Sequence, residues 1–315
     1  MDVNIGAYLA VMGACALFSC ALFGVSARNR LGLSSRRALS LGVCTLLLGT
    51  VLCILCAKVL FFFFRFSYLT RNRGGEFWLS LRTEELSYYG GVAGVSFAVM
   101  LAARLLRLRP REVLNAFAPA GAWMAAAARF AEYFLFPTGT GATLDQPLPF
   151  PLAVRVFYDE DYSEYLLAVF MFEGILSLAV FLCSLLRKDE PRRFLRTLAW
   201  LCIPQILLES LRSDAINWLL VHAEQLVCFL FVEGVLAWYG WKSGPKSFAA
   251  WVPALLGLAV CGVIIAGEFA LEGKILLGGS LIPRWITYLA MAGSLAVLAF
   301  AEHLGSRNLK AHSPG

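Results

Sequence analysis

The chain has 315 residues, of which 59% are hydrophobic and 15% charged, with a mean hydropathy of +0.71. Soluble domains lie nearer half apolar and a quarter charged, so this composition excludes an ordinary soluble fold and implies one polytopic membrane bundle. The formal net charge of +6 sits in short loops between apolar runs, so it does not read as a nucleic-acid surface.

A spanning helix needs roughly 20 apolar residues. Runs of that kind lie near 7–26, 39–66, 89–108, 113–136, 163–186, 195–212, 217–240, 249–267 and 282–303, which predicts an all-α bundle of about nine spans. The first run has no charged n-region and no small-residue cleavage site, so it reads as a true span and not a signal peptide. The fourth and sixth runs are the least apolar and carry internal charges. The nine cysteines all fall inside apolar runs and read as buried small hydrophobes. None has the spacing of a disulfide framework or a zinc site, and the CxxC of Cys53 and Cys56 has no partner pair. No metal or cofactor is expected.

Loop charge orients the spans. Arg28, Arg30, Arg36 and Arg37 share one loop, Arg104, Arg107, Arg109 and Arg111 another, and Arg187, Lys188, Arg192, Arg193 and Arg196 a third. Lys242 and Lys246 follow, then Arg307 and Lys310. These are alternate connections, as the positive-inside rule requires. The intervening loops are poorer in Lys and Arg or acidic, as at Asp159, Glu160 and Asp161. The exception is 65–88, where Arg65, Arg71, Arg73 and Arg82 face Glu76, Glu84 and Glu85. The pattern predicts an outside N-terminus and a cytoplasmic C-terminus.

Depth then follows from a rise of 1.5 Å per residue. The stretch "AAAARFAEYFLF" places Arg129 and Glu132 three apart near the outer end of the fourth span, with Arg129 roughly 10 Å below the boundary. Lys58 lies at similar depth in the second span. Gln205, Glu209 and Arg212 share one face near the outer end of the sixth. Tyr88, Tyr89, Gly90 and Gly91 open the third, and His222, Glu224 and Gln225 open the seventh. Glu173 and Glu233 lie deeper. Charges inside a bilayer cost at least about 2.5–3.5 kcal/mol and are functional candidates by default. Two readings stand side by side: an Arg–Glu bridge that locks helices, and a polar cavity open to the outer leaflet. Snorkelling also accounts for Lys58 and Arg212, and packing by small residues accounts for Gly94. Three cations at headgroup depth suit the phosphate of an anionic phospholipid. Of the three histidines, His222 alone has a suitable depth, and a helix-interface role is its leading reading; His303 and His312 lie on the cytoplasmic side.

The stretch "ELSYYGGVAGVSFAVMLAARLLRLRPREVLNAFAPAGAWMAAAARFAEYF", with "YSEYLLAVFMFEG", "IPQILLESLRSDA" and "HAEQL" downstream, resembles the prolipoprotein diacylglyceryl transferase family over roughly residues 1–240. Residues 241–315 form an added transmembrane hairpin and tail. The resemblance implies that Arg129 is the signature arginine that contacts phospholipid. It likewise implies that Glu209 and Arg212 are the acid and second arginine of the late segment. Gly90 and Gly91 match the glycine pair, Glu173 the glutamate before glycine, and Gln225 the late glutamine. Lys58 stands for an arginine, and Tyr8 for an N-terminal tyrosine. Tyr89 replaces the family histidine, Glu132 the signature asparagine, Ala128 and Ala131 its glycines, and Gln205 the first arginine of the late segment. The family's external head is short here, at 137–162.

The implied reaction moves a diacylglyceryl group from phosphatidylglycerol to the lipobox cysteine of a preprolipoprotein at the outer face of a bacterial plasma membrane. A thiol of pKa about 8.5 must lose its proton and a glycerophosphate must leave. The expectation is that Arg129 and Arg212 grip the phosphate, Glu209 orients an arginine, and Tyr89 or Glu132 assists proton transfer. The lost histidine and asparagine keep a second reading open, a non-catalytic paralogue that binds phospholipid or a membrane protein. A small-solute transporter is a third, without a visible internal repeat.

Overall fold

The computed structural model describes residues 4–80, 82, 85–135, 137–157, 162–187, 192–218, 221–244, 247–277 and 280–311. Phe136, the acidic loop Asp159–Asp161, Lys188, Lys246, Glu84 and His312 lie outside these residues.

The described residues form eleven α-helices and three small antiparallel sheets. The helices are α1 (Ile5–Leu31), α2 (Ser35–Phe64), α3 (Phe66–Asn72), α4 (Glu76–Leu79), α5 (Tyr88–Leu105), α6 (Pro110–Ala131), α7 (Val169–Leu186), α8 (Arg193–Leu208), α9 (Ala223–Ser243), α10 (Phe248–Leu271) and α11 (Arg284–Ala311). Eight of them are long and apolar enough to cross a membrane. The remaining expected span, the fourth, is α6; it has 22 residues, enough for about 33 Å, but its Arg111, Glu112, Asn115 and Arg129 keep it below that apolarity.

Helix ends follow local chemistry. Asn4 caps α1 by accepting the Ala7 amide at 2.9 Å, and Gly32 at φ 63° ends it in the left-handed region that glycine adopts without strain. Pro110 opens α6 at a position where its missing N–H costs nothing. Two expected helical stretches are strands. Residues 163–167 form β3 (Ser163–Leu167), and 217–222 hold the short pair β4 (Asn217–Trp218) and β5 (Val221–His222). An apolar run of a few residues does not discriminate helix from strand. β3 lies between β1 (Thr143–Leu144) and β2 (Ala153–Phe157), in the register Val154↔Leu166 and Arg155↔Tyr165.

The chain divides into two compact units. The first is Met1–Leu198 with Arg212–Asp214, and the second is Ala199–Leu211 with Ala215–Gly315. In the first, α2 packs on α5, α6 on α7, and α1 on both α6 and α2. Its core joins Phe23 and Ala27 of α1, Leu41 of α2, Val99 and Ala103 of α5, and Ala116, Phe117 and Ala120 of α6. Alanines dominate because they let helix backbones approach closely in a bilayer. The second unit packs α9, α10 and α11 together. There the buried Glu302 of α11 accepts hydrogen bonds from Tyr239 Oη at 3.3 Å and Trp200 Nε1 at 3.2 Å. A last hairpin, β6 (Leu276–Leu277) with β7 (Ser280–Leu281), joins α10 to α11.

Candidate active site

In the first unit, α6 carries Arg129 in its last turn, and a 3-10 turn from Glu132 to Leu135 continues it. Three residues apart, the pair faces one way, and Arg129 Nη1 donates to Glu132 Oε1 at 2.7 Å. α7 supplies Glu173 near its start. Gly174 beside it has no side chain, and a Cβ there would sit 2.5 Å from the Phe130 ring, so the glycine lets α6 and α7 meet at this level. Glu173 Oε2 lies 3.4 Å from Arg129 Nε.

Arg212 closes the ring. Its Nη1 lies 3.1 Å from Glu132 Oε2 and 2.9 Å from Glu173 Oε2. Each carboxylate therefore touches both guanidinium groups. The site is deeply buried: side-chain exposure is 2% for Arg129, 1% for Glu173, 8% for Arg212 and 11% for Glu132. A buried charge is tolerated only when paired and hydrogen-bonded, and the alternating ring meets that condition.

Asp214 adds a third carboxylate from the loop after α8. Arg212 Nε donates to its Oδ1 at 2.9 Å, and Nη2 donates to its Oδ2 at 2.8 Å. The Gly139 amide also donates to Oδ2, at 3.1 Å. Burial pushes the Asp214 carboxyl up, but the Arg212 charge and these hydrogen bonds outweigh it and hold the pKa below the ordinary carboxylate value. Gly139 has φ +76°, and a Cβ there would lie 2.2 Å from Glu132 Oε2, so the turn needs glycine for both conformation and space. Tyr88 completes the wall, its ring centroid 3.7 Å from Arg129 Cζ in a cation–π contact.

The structure thus gathers Arg129, Glu132, Glu173 and Arg212 in one network. Tyr8 on α1 lies within electrostatic range of Glu132 and Arg129. Other expected residues are placed differently. Lys58 is buried and donates to the carbonyls of Phe77 and Ser80, with its ammonium 4.7 Å from the Phe77 ring centroid. It holds the backbone at Phe77 and Ser80, and Arg73 nearby pairs with Glu85 at 3.2 Å, which accounts for one of the unexpected cations. Tyr89 packs edge-on against Tyr88, with centroids 5.1 Å apart; Tyr88 is the tyrosine on Arg129. The bare faces of Gly90 and Gly91 look onto α2, where a Cβ would meet Ala57 Cα at 2.7 Å and Cys53 Sγ at 3.0 Å respectively. The close approach they permit is between helices.

The second unit holds another buried polar cluster. Gln205 Nε2 donates to Glu209 Oε2 at 3.0 Å. Gln225 Nε2 donates to Ile206 O at 2.8 Å, to Ser210 Oγ at 3.1 Å and to Glu268 Oε1 at 2.8 Å. Ser210 also hydrogen-bonds Glu268. His222 caps α9 in a reciprocal box with Gln225. Sequence reasoning missed Asp214, Ser210 and Glu268, and it named Tyr88 only as opening the third span. Asp214 had a readable signal, two residues past Arg212. The signal for Glu268 was a lone acid inside an apolar run.

A family model described as prolipoprotein diacylglyceryl transferase matches residues 2–241. No curated protein and no solved structure matches the chain.

Proposed function

The chain belongs to the prolipoprotein diacylglyceryl transferase family, and from that premise we propose that it transfers diacylglycerol from phosphatidylglycerol to the lipobox cysteine of a preprolipoprotein. The family is a transferase family of lipoprotein biosynthesis, and the apolar helices make the protein a multi-pass membrane protein. The finer assignment adds a bacterial plasma membrane, a reaction at the outer leaflet, an outside N-terminus and a cytoplasmic C-terminus. Residues 1–240 are the proposed transferase core, and 241–315 an accessory hairpin and tail.

The observation that carries this reading is the pair of buried arginines, Arg129 and Arg212, bridged through the same two carboxylates. In the reaction the thiolate sulfur bonds the terminal glyceryl carbon and the carbon–oxygen bond to phosphate breaks. Glycerol phosphate leaves with that bond's electron pair, and the thiol proton passes to a base. Two preorganised guanidinium groups stabilise the charge that develops on the leaving phosphate. Glu132 and Glu173 orient the arginines. Tyr88 stacks on Arg129, which adds a positioning role to those proposed for Tyr89 and Glu132.

The test is a mass shift. The purified protein and its Arg129→Ala variant are incubated with phosphatidylglycerol and a lipobox peptide. A diacylglyceryl adduct from the unaltered protein alone is expected. Folded, lipid-binding protein that forms no adduct would move the reading to a paralogue that binds phospholipid without turnover. The tyrosine at the family's histidine position favours that second reading.

A further inference from the structure

Arg212 meets Glu132 and Glu173 through Nη1, and Asp214 through Nε and Nη2. Two parallel N–H···O bonds of 2.9 and 2.8 Å form the fork that a phosphate uses on arginine. Asp214 is also the most exposed of the five charged groups in the network. Its side chain is 32% exposed, against 8% for Arg212 and 11% for Glu132.

We propose that Asp214 is a resident latch: its carboxylate occupies the place of a phosphate oxyanion on Arg212 and leaves when a phosphodiester or phosphomonoester anion binds there. The inference rests on the reading that Arg212 grips a phosphate. Charge supports exchange over simple addition. Among the described residues, two guanidinium groups already face three carboxylates in this network. Adding a phosphate with Asp214 in place would enlarge the negative excess inside a poorly screened site. Exchanging one monoanion for another leaves the charge unchanged.

The backbone is built to stay while the side chain moves. Ser213 donates to Thr140 O through its amide and its hydroxyl, both at 2.9 Å. Arg212 is bridged to Gly141 as an isolated antiparallel pair. These bonds hold residues 212 and 213 against 140 and 141 without the Asp214 carboxylate. Its departure requires side-chain rotation, and it leaves the Gly139 amide directed at the incoming oxygen.

The experiment compares the full-length protein with Asp214→Asn and Asp214→Ala in detergent, titrating phosphatidylglycerol in one arm and inorganic phosphate in the other. Thermal stability confirms that each variant is folded. Roughly 2- to 5-fold tighter binding is expected in both variants, the scale of one partly exposed ion pair. Tightening for the lipid alone identifies a headgroup ligand; tightening for both probes identifies a site that also takes free phosphate. Adding Arg212→Ala to Asp214→Asn should erase the gain. Unchanged or weaker binding of both probes, or no binding by any of the proteins, overturns the latch. The mass-shift assay reads separately. Tighter binding without adduct keeps the latch and discards the transferase, and adduct without tighter binding does the reverse.

Discussion

At the scale of single residues, Arg129 is both an ion-pair partner and the proposed phosphate grip, and the two roles separate experimentally. Arg129→Ala leaves Glu132 and Glu173 buried with half of their cationic partners. The expected loss is about 3–5 kcal/mol, read as a lower Tm in detergent. Adding Glu173→Gln removes one surplus charge and should return much of that stability. Transfer should stay absent in the repaired double variant, because the grip is still missing. If stability and turnover both return, Arg129 is a structural lock and the phosphate role is lost.

At the scale of helices, the pairing of α2 with α5 is the most constrained contact to probe. A Cβ at Gly94 would lie 2.2 Å from Leu52 O and 2.6 Å from Leu52 C. Backbone atoms of a helix cannot swing aside, so Gly94→Ala should push the helices apart at about 1–3 kcal/mol. Gly13 has no atom within 4 Å of its Cβ position, and Gly13→Ala on the same template should be near neutral in a thermal melt. The same contrast explains what was legible in the sequence. Apolar length located the long helices, because a bilayer demands about 20 apolar residues whatever their neighbours. The spacing of Arg129 and Glu132 revealed their pairing, since residues three apart share a helix face. Depth placed Lys58 beside the arginines, but depth does not determine azimuth, and the lysine turns to the Phe77 and Ser80 carbonyls. Asp214 was readable as an acid two residues past Arg212, but its fork on that arginine depends on α8 giving way to a 3-10 turn at Glu209 and then a loop. Tyr88 and Tyr89 are adjacent, and on a helix only the observed rotation tells which one faces Arg129.

At the scale of the molecule, the family match ends at residue 241, yet α10 supplies Glu268 to a cluster that includes Gln225 and Ser210. Glu268→Leu removes an acceptor from a buried amide and a hydroxyl, at an expected cost of about 1–3 kcal/mol. Glu268→Gln keeps an acceptor and should cost less. A chain cut after residue 241 should be the least stable of the three in a detergent melt. Equal stability of the cut and full-length proteins would make the hairpin energetically independent. The link from Gln225 to Glu268 spans 43 residues, and that separation acts during synthesis. A ribosome adding about 5–20 residues per second needs roughly two to nine seconds to cover it. For that interval α9 exists before one of the three acceptors of its Gln225 amide, the Glu268 carboxylate, has been made. An insertion machinery that delivers α9 to lipid early leaves the Gln225 amide with Ile206 and Ser210 alone, so translation speed along α10 sets how long that amide waits for its carboxylate partner.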